Sequence, residues 1–214
     1  MLLFADRADA GRQLADALAD YASDRELIVL ALPRGGVPVG YEVARRLRAP
    51  LDVYVVRKLG VPGREELAMG ALAADGTCIV DDELIAMLHV EPSSLEEVVR
   101  REAEELRRRE STYRDDRAPL VIAGKTVIVV DDGLATGATM RAAATALRAR
   151  KPEAIVAAVP VATPRTCAAL ADVVDRVVCV HALEPFHAVG LYYRNFEQTS
   201  DEEVRRLLAA QSQA

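Results

Sequence analysis

The sequence predicts an α/β domain built on a mostly parallel, twisted sheet flanked by helices, and three observations carry that reading. First, short continuous apolar runs recur along the chain: ELIVLALP, DVYVV, TVIVV, IVAAVPVA and RVVCVHA. Runs of this kind form strands buried on both faces, as in parallel sheets covered by helices. Second, segments with helical spacing, such as VPVGYEVARRL and MRAAATALRAR, alternate with them. That alternation implies parallel strands joined by right-handed crossovers. Third, the chain has 214 residues, 51% of them hydrophobic, which suits a single domain over residues 1–214 with a sizeable core.

Each element has its own local warrant. An amphipathic helix is expected over residues 7–21, with Leu14 and Leu18 on one face and Asp6 near its start. ELIVLALP is the first buried strand, PRGG interrupts it, and VPVGYEVARRL resumes with helical spacing. DVYVV is the next strand, ending in Arg57 and Lys58. LGVPGREELAMGALAADGTCIV mixes glycine, proline and charge, which reads as a long loop or an irregular hairpin. Residues 82–118 form a helical insertion of two helices joined at Pro92. Ser93 or Ser94 is placed to cap the second, with Glu96 or Glu97 completing a capping box. Glu97–Arg101, Glu104–Arg108 and Glu105–Arg109 are i,i+4 pairs in the favourable order. Its apolar stripe is Leu95, Val98, Val99, Leu106 and Tyr113; interleaved acids and bases favour a solvated, ion-paired helix over a partner- or RNA-binding arginine cluster. TVIVV and IVAAVPVA are further strands, Thr163 and Pro164 open another helix, and RVVCVHA is the last core strand. Residues 182–214 form a C-terminal hood or tail.

Composition removes several classes of function. The net charge of −6 argues against a nucleic-acid surface, which needs a clustered basic face. Three cysteines without a C-x-x-C pair, and three histidines without ligand spacing, exclude a disulfide framework and a zinc site. The start MLLFADRADAGRQ lacks a signal peptide's apolar core, and no apolar run approaches the ~20 residues needed to span a bilayer. The expectation is a cytoplasmic protein without membrane or nucleic-acid partners.

The chemistry concentrates in TVIVVDDGLATGATM. A buried strand delivers Asp131 and Asp132 to its carboxyl end, the edge at which open α/β sheets bind ligands. Gly133, Ala135, Thr136, Gly137, Ala138 and Thr139 are small or hydroxylic, and a helix follows at once. Unpaired amides at a helix N-terminus, aided by the dipole, form an anion site. Two carboxylates beside it fit a ligand with neutral hydroxyls at one end and phosphate at the other, because ionised carboxylates accept hydrogen bonds from a sugar diol. Neither G-x-x-x-x-G-K-[ST] nor G-x-G-x-x-G occurs. A bare metal site at Asp-Asp lacks a third ligand nearby in sequence.

Four apolar residues, two acids and x-x-A-T-G-x-T, the run VIVVDDGLATGAT at residues 127–139, resemble the motif that binds phosphoribosyl diphosphate (PRPP) in the type I phosphoribosyltransferases. The order of the other elements is similar over most of residues 24–196. The resemblance implies that fold, with Asp131 and Asp132 on the ribose 2- and 3-hydroxyls and Ala135 to Thr139 around the 5-phosphate. It implies that PRGG contacts pyrophosphate through Gly35 and Gly36, with a non-proline cis peptide at Arg34–Gly35 and Arg34 supplying charge. Lys58 and Arg57 resemble basic residues that meet pyrophosphate; the competing reading is that they mark where the chain surfaces. Residues 60–76 correspond to a mobile flap. Ala135 stands where some members carry an acidic general base, so the candidate base becomes Glu65 or Glu66, or the substrate itself. Phe186 with Val189 and Gly190 resembles a loop that stacks on a purine, with Tyr192 or Tyr193 where that loop carries an acid, although a tail packing Phe186, Tyr192, Tyr193 and Phe196 on the sheet explains them equally well.

The function so implied is Mg2+-dependent transfer of 5-phosphoribosyl from PRPP to a nitrogenous acceptor of nucleotide metabolism, a nucleobase, with release of pyrophosphate. Mg2+ is held by PRPP, and no metal ligand is assigned on the chain. The family also admits a homodimer. The alternatives are a non-catalytic regulatory protein that senses PRPP, and an enzyme that hydrolyses or transfers another phosphorylated sugar.

Overall fold

A computed structural model describes residues 2–114 and 120–211, with the side chains of Glu66 and Arg114 outside that description. In chain order the first half runs α1 (Arg7–Ala17), β1 (Leu27–Ala31), α2 (Gly36–Leu47), β2 (Leu51–Val53), β3 (Val56–Val61), β4 (Arg64–Ala73) and β5 (Cys78–Val80). There follow α3 (Asp82–Met87), α4 (Pro92–Arg114), β6 (Thr126–Val130), α5 (Ala138–Arg148), β7 (Ala154–Ala162), α6 (Pro164–Leu170), β8 (Arg176–Ala182) and α7 (Asp201–Gln211).

The core sheet has the order β2-β1-β6-β7-β8, and every neighbouring pair is parallel. Successive side chains of a strand face opposite sides, and the packing shows it. Leu27, Val29 and Ala31 of β1 pack with Leu14, Val43 and Leu208 of α1, α2 and α7. Ile28, Leu30 and Leu32 pack on the other side with Met140, Ala143 and Leu147 of α5. Because both faces are buried, these strands carry no polar alternation. From β1 the chain moves outward to β2, then returns across β1 to β6. The strand order reverses between β1 and β6, and their carboxyl ends open a crevice there.

Several sequence expectations need correction. Helix α1 ends at Ala17 rather than Tyr21; a 3-10 turn over Ala19–Ser23 then redirects the chain toward β1, with Leu14 and Leu18 buried as expected. Asp6 is the N-cap and accepts from the Asp9 amide at 2.8 Å. DVYVV is not one strand: β2 stops at Val53, and Val56 to Lys58 begin β3 of a second sheet, β3-β4-β5, which is antiparallel. Arg57 and Lys58 therefore lie within a strand of that sheet. Of the two readings of residues 59–80, the irregular hairpin is the one that forms, with shifts in register on both sides of Gly60. Its glycines read as loop residues for a different reason. A Cβ on Gly60 would lie 2.6 Å from the Glu65 carbonyl oxygen, and one on Gly70 would lie 2.3 Å from that of Ile79.

The insertion does contain two helices, and α4 starts at Pro92, a residue suited to a first helical position. Ser94 and Leu95 already donate to the Glu91 carbonyl, so Ser93 and Ser94 sit inside the first turn instead of capping it. Of the expected pairs, Glu105–Arg109 forms at 2.6 Å, while Arg108 also turns to Glu105 and Arg101 to Glu102. Val98, Leu106 and Tyr113 are buried in the α1–α2–α7 core, so α4 is built into the domain. Residues 115–118 of the insertion and 212–214 of the tail lie outside the described residues. Leu106→Ala is expected to cost about 2–5 kcal/mol and to lower the Tm of one cooperative transition. A separate early melt of the helical segment, followed by circular dichroism, would contradict this integration.

Candidate active site

The crevice between β1 and β6 is closed by direct contact of two loops. Leu32 donates to the Val130 carbonyl at 2.8 Å, which stitches the chain after β1 to the end of β6. Gly35 and Gly36 then pass against the acids. A Cβ on Gly35 would lie 2.1 Å from Asp132 Oδ2, and one on Gly36 would lie 2.6 Å from the Val130 carbonyl oxygen. The two glycines of PRGG are thus required by close approach. The cis peptide of this turn lies at Pro33–Arg34, one residue before the expected Arg34–Gly35. Gly35 itself is right-handed helical at φ −60° and caps α2, so its small size serves the contact with Asp132.

Asp131 and Asp132 are half-buried at the carboxyl end of β6. Asp131 accepts from the Asp132 amide at 2.9 Å. Burial pushes the Asp131 carboxyl well above the usual range, and the charge of Asp132 pushes it the same way. Burial also raises the Asp132 carboxyl, but Arg7 opposes the shift. Arg7 was not expected here. Its Nε donates to Asp132 Oδ2 at 2.8 Å, across 125 residues of sequence. From the other side Tyr193 donates its hydroxyl to the Asp132 carbonyl at 2.6 Å.

The loop to α5 follows. Gly137 is its turning point, with φ +73°, a left-handed conformation that favours glycine. The Thr136 hydroxyl accepts from the Ala138 amide at 3.4 Å, and Thr166 donates to the Ala135 carbonyl at 2.9 Å. Thr163, the N-cap of α6, in turn receives the Thr166 amide at 2.9 Å, so α6 holds the loop from behind. Ala135, Thr136 and Thr139 are exposed.

Thr136, Ala138 and Thr139 share one cleft with Pro33, Lys58 and Glu65. The cleft encloses about 1260 Å³, open space at its mouth included. Arg57, Arg101, Glu102 and Arg109 also line it, so α4 supplies two guanidiniums that the sequence placed on a solvated helix. Arg57 and Arg101 both pair with the buried Glu102, at 2.7 and 3.2 Å. Arg34 is on the same rim but its guanidinium turns toward Asp201 at 3.7 Å. Asp201 also receives the Tyr113 hydroxyl at 2.9 Å, which helps to raise that phenol to about 12 after burial, the larger cause. The Glu66 side chain lies outside the described residues.

A family model, phosphoribosyl transferase domain, matches residues 4–193. The chain belongs to this family. Two Mycobacterium tuberculosis proteins, from strains H37Rv and CDC 1551 and provisionally named phosphoribosyl transferases, are each 48% identical over 204 residues. The match covers 95% of this chain and 46% of theirs, so the chain spans about half the length of these relatives. The crystal structure of TT1426 from Thermus thermophilus matches with a TM-score of 0.90 and 41% identity, over 98% of this chain and 99% of that one. AQ2163 from Aquifex aeolicus shares the fold alone, with a TM-score of 0.51 and 11% identity over 86% and 78% of the two chains.

In this phosphoribosyltransferase domain the segment after β8 folds back over the Asp131–Asp132 end of the crevice. Tyr192 and Tyr193 are buried; the Tyr192 hydroxyl donates to the Pro185 carbonyl at 3.2 Å, and its ring lies 5.1 Å from that of Phe186. Val189 packs on the loop itself, since a Cβ on Gly133 would lie 2.6 Å from its Cγ1. Phe186 and Val189 are half-buried. Among the described residues no helix is long and apolar enough to cross a membrane.

The raised Asp131 carboxyl sets a stability prediction. A folded-state pKa above the unfolded value means that stability is greatest at low pH and is lost as pH rises through the folded pKa. Asp131→Asn removes that loss. The ligand-free variant is expected to gain about 1–3 kcal/mol at neutral pH, a Tm increase of several degrees. The gain shrinks toward acidic pH. Equal melting of both proteins across the pH range would contradict the assignment.

Proposed function

We propose that the chain transfers the 5-phosphoribosyl group of PRPP to a nitrogenous acceptor, a nucleobase, and releases pyrophosphate. The observation that carries this reading is the convergence of PRGG and DDGLATGAT at the strand-order reversal, with Gly35 packed on Asp132. A ligand bound across that crevice meets carboxylates at one end and amides at the other. Asp131 and Asp132 then accept from the ribose diol, while Ala135 to Thr139 donate backbone N–H groups and two hydroxyls to the 5-phosphate.

The diphosphate lies toward PRGG and the basic wall of the cleft. Lys58 and the Gly35–Gly36 amides are the candidates that stabilise charge as it builds on the leaving group, and Arg34 joins them if its side chain turns inward from Asp201. Arg101 and Arg109 of α4 extend the same wall. The C1–O bond loosens toward an oxocarbenium-like state, the acceptor nitrogen bonds to C1 from the opposite face, and the electron pair leaves with pyrophosphate. Exposed Glu65, on the hairpin that lines the cleft, is the candidate to take the acceptor's proton, with Glu66 as the alternative. Hairpin closure excludes the water that would otherwise capture C1.

Mg2+ is a hard cation that takes oxygen ligands. On this reading the cation is carried by the diphosphate oxygens and not by a cluster of side chains. Bound there, it supplies charge neutralisation of the leaving group.

Mg·PRPP at a hundredfold excess over Kd is expected to stabilise the protein by about 2.7 kcal/mol. For a domain of this length the Tm rises by roughly 5–10 °C. The double variant Asp131→Asn, Asp132→Asn is expected to lose that shift, and pyrophosphate release with a panel of bases identifies the acceptor. An unshifted wild-type melt overturns the reading; a shift without turnover of any acceptor makes the chain a sensor of PRPP.

A further inference from the structure

We infer that Arg7 is a positioning residue of the sugar end, fixing the Asp132 carboxylate as the acceptor for ribose hydroxyls. The inference rests on the phosphoribosyl reading above and adds a residue that lies outside the 127–139 motif.

Arg7 is in an unfavourable place for a cation. It is the first residue of α1, where the helix dipole disfavours positive charge by about 0.3–1 kcal/mol. Its guanidinium is nonetheless drawn inward and engaged three ways. Nε donates to Asp132 Oδ2 at 2.8 Å, Nη1 donates to the Glu197 carbonyl at 2.7 Å, and the plane lies 3.8 Å from the centre of the Phe196 ring. The Arg7 and Asp132 side chains are 12% and 15% exposed. A pair this sheltered from solvent interacts far more strongly than an exposed one.

The contact also selects one oxygen. Oδ2 is the carboxylate oxygen nearer Gly35, at 2.1 Å from an added Cβ, against 3.3 Å for Oδ1. Arg7 and the Gly35 backbone both crowd Oδ2, so the carboxylate cannot rotate freely and Oδ1 is the oxygen that Arg7 leaves for a ligand. Arg7 in turn is held by the Glu197 carbonyl and the Phe196 ring, which belong to the segment after β8. The sugar-binding acid is therefore oriented by both ends of the described chain.

The ionisable groups facing Asp132 are Arg7 from α1, Asp131 beside it and Tyr193 from the C-terminal segment; Gly35 brings none. Burial favours the neutral carboxyl and Arg7 opposes it. Without Arg7 the carboxyl titrates at higher pH. An ionised acceptor is needed for two sugar hydroxyls, so binding weakens as pH falls through that value. A staple that merely joined the termini would lower stability without changing this pH dependence.

The test is Mg·PRPP affinity, by calorimetry, from mildly acidic to mildly alkaline pH. Wild type is compared with Arg7→Gln, Arg7→Lys and Phe196→Leu, the last weakening the staple while keeping the carboxylate contact. Arg7→Gln is expected to bind about tenfold weaker or more at the acidic end, with the gap closing as pH rises. Arg7→Lys restores part of the loss, and Phe196→Leu runs parallel to wild type. Carboxyl 13C titration of the ligand-free proteins, with Asp132 assigned by Asp132→Asn, is expected to show its midpoint moved up in Arg7→Gln. Parallel affinity profiles for wild type and Arg7→Gln overturn the inference, as does an unmoved Asp132 midpoint. Failure of wild type to bind Mg·PRPP overturns the phosphoribosyl reading, and the carboxyl titration then still decides the Arg7–Asp132 coupling. If Arg7→Gln does not fold, Arg7→Lys carries both measurements.

Discussion

The parallel pairing of β1 with β6 is the constraint on which the rest of the site depends. It brings two loops distant in sequence to one edge of the sheet, and the reversal of strand order there keeps the helices after them apart. Packing then narrows the chemistry. Gly35 and Gly36 press on Asp132 and on the backbone of Val130 and Asp131, so neither loop can shift without the other. The acids and the amides before α5 are consecutive on the β6 loop, and their separation from PRGG is fixed by the same ladder that holds the core.

Around that edge the chain has layered its less regular parts. The β3–β4 hairpin and α4 wall the cleft on one side, with Glu102 holding Arg57 and Arg101 together across the join. Tyr113 and Arg34 meet at Asp201, which links α4, the PRGG loop and the start of α7. The segment after β8 covers the opposite end, beside Asp132 and Gly133, through Tyr193 and Val189. Each wall is tied to the rigid sheet by at least one polar contact to a loop residue or its neighbour.

What was legible in the sequence follows from how local each signal is. Buried parallel strands read as apolar runs, and the 127–139 loop carries its chemistry in consecutive residues, so both could be read directly. Helix α1 and the Thr163 cap of α6 were legible for the same reason. The β3–β4 hairpin was ambiguous because Gly60 and Gly70 serve close backbone approach, which looks like loop composition. DVYVV misled because one apolar run can turn a corner between two sheets. Arg7 could not be read at all as a site residue: its partners Asp132, Phe196 and Glu197 are far away in sequence, and its local context is an ordinary helix start. Arg101 and Arg109 were hidden in a run of interleaved charges whose outward face cannot be told from its inward one without the fold.

Two adjacent acids before a helix N-terminus would repel each other if both were charged, and the structure treats them differently. The two carboxylates are not equivalent. Asp131 is walled in with an amide donor, and Arg7 acts on it only at a distance, so burial and its neighbour's charge both favour the neutral form. Asp132 has Arg7 in direct contact, which offsets part of the same burial. Burial and its neighbour's charge thus bear most on Asp131, while Arg7 shelters the charge of Asp132. On the phosphoribosyl reading, an ionised Asp132 accepts from the sugar diol, and a neutral Asp131 can also donate to it. Directional acceptors are kept, and the asymmetry originates in an arginine on the far side of the chain.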